Sequence, residues 1–271
     1  SKSKMAAPMQ FIFPSCKLCY EPSGDRRKRK NQSITRQRFL QKHQKCLVTG
    51  EHGSGKTALL FQCAISLAQE GHHVTFVTPT KFQSLPPAVE GATTQDPLLM
   101  KRINIMYFQD RPALIRYLSQ LHTKAPLPHA IIVDDIDSYA SPPQAADLPS
   151  SVSILCSYLV DAVTFVSNKR AQSEDTDADD CFLLASISCS AQGEFQVPHV
   201  YRNFLTSELH ITSVDRQENI YQLTSQSNGT PRNDCIITYK LGQTIKVLDI
   251  LTGEEAFSQL TCNTQEGDGH G

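Results

Sequence analysis

One stretch limits this chain more than any other: Gly50-Glu51-His52-Gly53-Ser54-Gly55-Lys56-Thr57. It fits G-x-x-x-x-G-K-[ST], the pattern of a loop that cradles phosphates, and the pattern carries weight only between a strand and a helix. Both flanks qualify. Lys45-Cys46-Leu47-Val48-Thr49 is a short apolar run of the kind that forms a buried strand. Ala58 to Glu70 is a long apolar-rich segment that Gly71 can stop as a C-cap. Glycines at 50, 53 and 55 let the backbone curl closely around an anion with no Cβ in the way. The N–H groups of that curl, and those opening the helix, then point at the phosphates. Lys56 is placed to reach the β- and γ-phosphates, and the Thr57 hydroxyl to ligate Mg²⁺. Residues 50–57 are therefore expected to bind ATP with magnesium.

A second stretch supports the first. Ala130-Ile131-Ile132-Val133-Asp134-Asp135 is an apolar strand ending in a carboxylate, the arrangement in which an aspartate completes the Mg²⁺ shell. Alone it says little, because many strands end in Asp as a turn begins. Behind a phosphate loop it assigns Asp134, with Thr57, to the metal.

The chain has 271 residues, enough for one α/β domain with a large core and marginal for two. No apolar run approaches the roughly 20 residues of a membrane span, and the start has no signal-peptide core, so a soluble intracellular protein without membrane association is expected. The nine cysteines form no even framework, which suits a reducing compartment. Cys16 and Cys19 are a lone C-x-x-C with no partner pair at zinc spacing, so no zinc site is expected there. Net charge of −1 conceals an asymmetry: residues 1–45 hold twelve Lys/Arg and two Asp/Glu, and the remainder is acidic. The run Arg26-Arg27-Lys28-Arg29-Lys30 suits a nuclear-import signal, a nucleic-acid contact or simply a solvated arm.

In order, residues 1–44 read as a basic, unstructured arm and 45–251 as the folded core. Residues 172–180 read as an acidic flexible insert, and 252–271 as a frayed tail. Within the core, strands are expected at 45–49, 72–78, 102–108, 130–133 and 181–187, with a brief strand at 209–211. A hairpin is expected from 235–241 and 244–250. Helices are expected after the phosphate loop, behind Asp96, behind Asp110 and from about 151 to 168. A single helix between the first two strands makes the sheet parallel. Phe61-Gln62-Cys63-Ala64 has the F-x-x-A form by which recombinases link into filaments, but its place in the first helix makes Phe61 a core residue. The His72-His73 pair opens a strand with no other ligand near it in sequence, so metal is not expected.

Several stretches together are similar to the RecA-like recombinase paralogues of the metazoan Shu complex, P-loop ATPases that associate with a SWIM-type zinc-finger protein. They are residues 49–61, Phe76-Val77-Thr78 with Gln83-Ser84-Leu85-Pro86, 91–98, Ile131–Asp134 with Tyr139, and Tyr201-Arg202-Asn203-Phe204. The resemblance spans about 46–250 and excludes the basic arm. It implies an α/β fold with a mainly parallel sheet flanked by helices, the 181–187 strand slotted between those at 45–49 and 130–133, and a closing C-terminal β-hairpin. It also implies a nuclear protein that binds single-stranded DNA and supports the strand-exchange recombinase in homologous recombination repair.

Two departures bear on chemistry. Such enzymes usually carry a glutamate at the end of the second strand to polarise the attacking water, and here Thr78-Pro79-Thr80-Lys81-Phe82-Gln83 holds no carboxylate. The tip of the 181–187 strand has Ser186 and Ser188 where a Gln or Asn would sense the γ-phosphate. Asp135, or else Asp137, is the candidate substitute base beside Lys56, poorly placed for the task. The expectation is tight nucleotide binding with slow, DNA-stimulated hydrolysis. A nucleotide-gated adaptor with negligible turnover is the alternative, and a small-molecule kinase ranks last because no basic lid is visible. DNA contacts are expected from loops near 141–150 and 188–205, through Arg202, Phe195 and Tyr201, with the basic arm adding phosphate attraction. Phe204 is expected in the core.

Overall fold

The computed structural model describes residues 12–13, 45–92, 96–140, 147–172, 180–190, 192–225 and 235–252. The arm, insert and tail expected from the sequence therefore lie outside the described residues, save for Ile12, Phe13 and a few flanking positions.

Among the described residues, nine strands form one sheet in the order β3-β2-β4-β5-β1-β6-β7-β8-β9. They are β1 (Lys45–Glu51), β2 (Val74–Thr78), β3 (Ile103–Tyr107), β4 (Ala130–Val133), β5 (Phe182–Cys189), β6 (Ser207–Asp215), β7 (Ile220–Ser225), β8 (Cys235–Leu241) and β9 (Ile245–Thr252). From β3 across to β6 every pairing is parallel, and from β6 to β9 every pairing is antiparallel. β5 does lie between β1 and β4, so the ends of the two motif strands flank its own.

The central strands are buried on both faces, as helix-covered parallel strands must be. Side chains alternate between two cores. Val48, Ile132 and Leu184 point into one, while Leu47, Ile131, Val133, Leu183 and Ala185 point into the other. The first core is filled by α1 (Lys56–Gln69), most of whose residues are buried. A Schellman arrangement ends it: Gly71 has φ 94°, its N–H donates to Ala68 O, and the His72 N–H donates to Leu67 O. Phe61 meets Phe76 and Phe82 edge to face within this core, so the F-x-x-A segment is packing here. Ile12 and Phe13 are fully buried in the same core.

The second core lies under α3 (Arg111–Ser119) and α4 (Leu148–Ala171), with α5 (Pro198–Phe204) beside them. The short α2 (Pro97–Met100) and α3 are capped by Asp96 and Asp110, whose side chains accept from Leu98 N–H and Ala113 N–H at 2.8 Å each. α4 is long and apolar enough to cross a membrane, but Val152, Leu155, Leu159, Val163 and Val166 bury one face of it against the sheet.

The antiparallel part is larger than expected. β6 runs from Ser207 to Asp215 rather than over three residues, and β7 was not anticipated at all.

Candidate nucleotide site

The phosphate loop leaves the sheet at the carboxyl end of β1, where open parallel sheets hold their ligands. Gly53 and Gly55 have φ of 80° and 87°, a left-handed backbone that strains any side chain. Gly50 is needed for a different reason. It still belongs to β1, and a Cβ there would stand 2.8 Å from Ile211 Cβ and 2.9 Å from Ser54 Oγ.

Lys56 opens α1 and is almost wholly buried. Its ammonium donates to Gly50 O (2.9 Å) and Glu51 O (2.8 Å), which leaves one of three donors uncommitted. Burial lowers its pKa, and the nearby acidic groups Asp135, Cys189, Asp134 and Asp137 oppose that shift. Glu51 turns its carboxylate outward to Arg216, 2.7 Å away. The Ser54 hydroxyl is buried among these groups with no hydrogen-bond partner among the described residues, an orphaned polar atom inside the loop.

The two motifs meet. Thr57 Oγ1 donates to Asp134 Oδ2 at 2.7 Å, so a divalent cation held by the threonine is within reach of the aspartate. A serine from β5 locks the second oxygen: Ser186 Oγ donates to Asp134 Oδ1 at 2.7 Å and accepts from the Asp135 N–H at 2.9 Å. Burial raises the Asp134 pKa, while the hydrogen bonds from Thr57 and Ser186 pull it down. This hard-oxygen set beside a glycine-rich loop fits Mg²⁺ with a nucleotide's phosphates; Thr57 and Asp134 are the residues that would hold the ion.

Asp135 sits in the left-handed region (φ 55°), and its carboxylate accepts from Ser188 Oγ at 3.3 Å. Asp137 lies one turn on, in a cavity of about 320 Å³ lined by Ile187, Phe195 and Tyr201 among others. One of its oxygens is buried without a partner among the described residues, and burial together with the Asp135 charge pushes its pKa up to about 6. At the tip of β2, Thr78 and Thr80 are tied to each other, Thr78 Oγ1 donating weakly to Thr80 O. The carboxylates gathered around Lys56 are thus aspartates of the β4 turn.

A larger cavity, about 480 Å³, opens where β1, β5 and β6 end, between Glu51, Cys189, His210 and Arg216. On its floor His210 Nδ1 lies 2.7 Å from Thr49 Oγ1.

The expected DNA-contact residues fare differently. Tyr201 is buried in the core, and Phe195 packs against it, with Arg202 lying over the Phe195 ring. Arg202 also makes a two-pronged pair with Glu208, at 2.8 and 3.3 Å. Its charge is already answered, the Tyr201 ring is buried, and Phe195 is half-buried against it. Phe204 packs against the core as expected, and residues 141–146 lie outside the described residues. The His72-His73 pair acquires a neighbour that sequence could not show, His129, whose ring lies 4.5 Å from that of His72. Burial drives the His129 pKa down to about 3, and no metal-binding cluster occurs among the described residues.

No family model matches the chain. The human ATPase SWSAP1 is 33% identical over 158 residues, 57% of this chain and 64% of that protein. The chain thus spans just under two thirds of its relative's length. Among solved structures, one ATPase domain superposes with a TM-score of 0.51 at 11% identity, covering 76% of this chain and 86% of its own. A KaiC-like protein from the archaeon Pyrococcus horikoshii gives 0.50 at 15% identity, over 75% and 88%. The fold is that of the RecA-like P-loop ATPases. The similarity to this ATPase agrees with the resemblance that the motifs carry.

Proposed function

We propose that this chain is an ATP- and Mg²⁺-binding recombinase paralogue that turns nucleotide over slowly and acts on single-stranded DNA in homologous recombination repair. The observation that supports it most is the Thr57–Asp134 hydrogen bond of 2.7 Å, which joins the phosphate loop to the β4 carboxylate. In this reading Lys56 steadies the β- and γ-phosphates, residues 50–55 present backbone N–H groups, and Thr57 and Asp134 hold the ion. Mg²⁺, when bound there, would neutralise charge on the phosphates. Asp135 is the base, held by Ser188 and Ser186 at the turn. Its short side chain and the absence of a carboxylate on Thr78 make it inefficient, hence the slow turnover.

Single-stranded DNA binding rests on the basic arm in this reading. The one Lys or Arg in 188–205, Arg202, is engaged by Glu208, and the basic run lies at 26–30. The same run serves as the nuclear-import signal; replacing it with alanine should leave a fluorescent fusion in the cytoplasm. The partners in this reading are a SWIM-domain zinc-finger protein and the strand-exchange recombinase, and co-purification of each with the full chain tests that part.

The central experiment is ATP hydrolysis by the purified chain with and without single-stranded DNA, beside Lys56→Ala. Stimulation that the variant loses supports the ATPase. Nucleotide binding without turnover favours a second reading, a nucleotide-gated adaptor, which the carboxylate-free tip of β2 also suits. Absence of nucleotide binding by the unaltered chain sinks both.

A further inference from the structure

Tyr239 of β8 touches the phosphate loop from behind. Its hydroxyl donates to Ser54 O at 2.8 Å, across 185 positions of sequence. The ring is fully buried between Tyr221, stacked at 5.8 Å, and Phe13, whose ring centre lies 6.2 Å away. Phe13 and Ile12 are themselves fully buried, so two residues far upstream of β1 complete the packing around this tyrosine. Leu241, two positions on, closes the space behind Gly55, 3.1 Å from where a Cβ would stand.

The consequence follows from peptide geometry. In a planar trans peptide the carbonyl and the following N–H point in opposite directions. Fixing Ser54 O toward Tyr239 therefore turns the Gly55 N–H the other way, into the concave side of the loop where an anion is received. A carbonyl left free would let this peptide flip, since the rotation falls on ψ of Ser54 and φ of Gly55, and Gly55 has no side chain to oppose it.

We propose that Ile12-Phe13 is an anchor in cis that wedges Tyr239 against Ser54 O, so that docking of the N-terminal segment sets nucleotide affinity. Phe13 and Tyr239 act here as positioning residues. The anchor also fixes one end of the sequence that carries Arg26-Arg27-Lys28-Arg29-Lys30, and Lys45 in β1 fixes the other. A ligand drawn to that run thereby has a covalent route to the phosphate loop. The inference rests on the reading of that loop as a nucleotide site.

The test titrates a fluorescent ATP analogue with Mg²⁺ into the full chain and four variants. Tyr239→Phe removes the hydrogen bond but keeps the ring, and Phe13→Ala removes the wedge. Their double variant closes a cycle, and Val163→Ala, in the core on the opposite face, controls for general loss of stability. Each of the first two should weaken binding about tenfold, with the double variant no worse than either single one, because both act through Ser54. Val163→Ala should bind as the unaltered chain does. Phe13→Ala binding with unaltered affinity while folded, or effects of Phe13 and Tyr239 that simply add, would overturn the anchor. Should Phe13→Ala not fold, an unaltered affinity in Tyr239→Phe overturns it alone. Failure of the unaltered chain to bind the analogue is a different result, and it overturns the nucleotide reading on which the anchor depends.

Discussion

Ser186→Ala isolates what holds the Asp134 carboxylate. The serine is fully buried, its hydroxyl donating to Asp134 Oδ1 at 2.7 Å and accepting from the Asp135 N–H at 2.9 Å. Alanine deletes one oxygen, so packing changes little and the loss is one of hydrogen bonding. A buried polar group left without its partner costs about 1–3 kcal/mol, more when the acceptor is charged. Two groups are stranded here, but Thr57 still donates to the other oxygen of Asp134, so a net loss of about 2–3 kcal/mol is expected. In a domain of this size that lowers the melting temperature by about 5–10 °C. The pH dependence has a definite sign. Burial already raises the Asp134 pKa, and the serine opposes that rise, so its removal raises the folded-state value further. A carboxyl whose folded pKa exceeds its unfolded one is penalised above that pKa and relieved as pH falls below it. The gap between variant and unaltered chain should therefore be widest near pH 8 and narrow toward acid pH. Thermal denaturation from pH 5 to 8, with and without Mg-ATP, measures both effects, and the stabilisation by Mg-ATP should shrink in the variant. Ser188→Ala, which loses only a 3.3 Å bond to Asp135, should shift the midpoint by about 1 °C or less. Equal midpoints for Ser186→Ala and the unaltered chain at pH 8, with equal Mg²⁺ response, would refute this account of the carboxylate.

Three further outcomes are expected. Gly50→Ala places a Cβ 2.8 Å from Ile211 Cβ; overpacking of this kind costs about 1–3 kcal/mol. Calorimetric titration should show weakened ATP binding in the same variant, whereas Gly71→Ala, with open space around its Cβ but φ 94°, should lose stability alone. Asp137→Asn should raise the melting temperature at pH 7.5 by about 2–4 °C, the cost of keeping a buried carboxyl ionised, discounted for partial exposure. Its carboxyl is pushed up to about 6, so the penalty it removes appears as pH rises from about 4 to 6 and is absent below that window. His129 works in the opposite direction: with a pKa near 3 in the folded chain, it should cost stability as pH falls below about 6.5, and His129→Gln should flatten that slope in acid denaturation.

How much of this was legible in the sequence depended on how local each cause is. The β1–loop–α1 unit declares itself because strand, glycines, lysine and helix are contiguous and each obeys its own short-range rule. The apolar run at 181–187 reads as a strand covered on both faces, but its place between β1 and β4 is legible only through the resemblance to the RecA-like paralogues. β7 escaped because Ile220-Tyr221-Gln222-Leu223-Thr224-Ser225 is short, half polar and preceded by Arg216-Gln217-Glu218-Asn219. Its pairing with β6 and β8 makes it a strand, and such pairing overrides propensity. The site divides along the same line. Thr57 and Asp134 were paired from motif spacing alone, but the role of Ser186, noted only as a substitution at a strand tip, needed the register that sets Ala185 beside Val133. The loop residues of 188–205 misled for a related reason: an arginine and two aromatics, Phe195 and Tyr201, look like a base-stacking surface until Glu208 and the core are seen to claim them. Tyr239 and Phe13 carried little signal, since the short Phe11-Ile12-Phe13 patch shows no periodicity and a tyrosine in a strand is ordinary. Yet they stand directly behind the peptide that must face the phosphates. The motif specifies which atoms can bind a nucleotide; the pose of those atoms is held by residues that no motif contains.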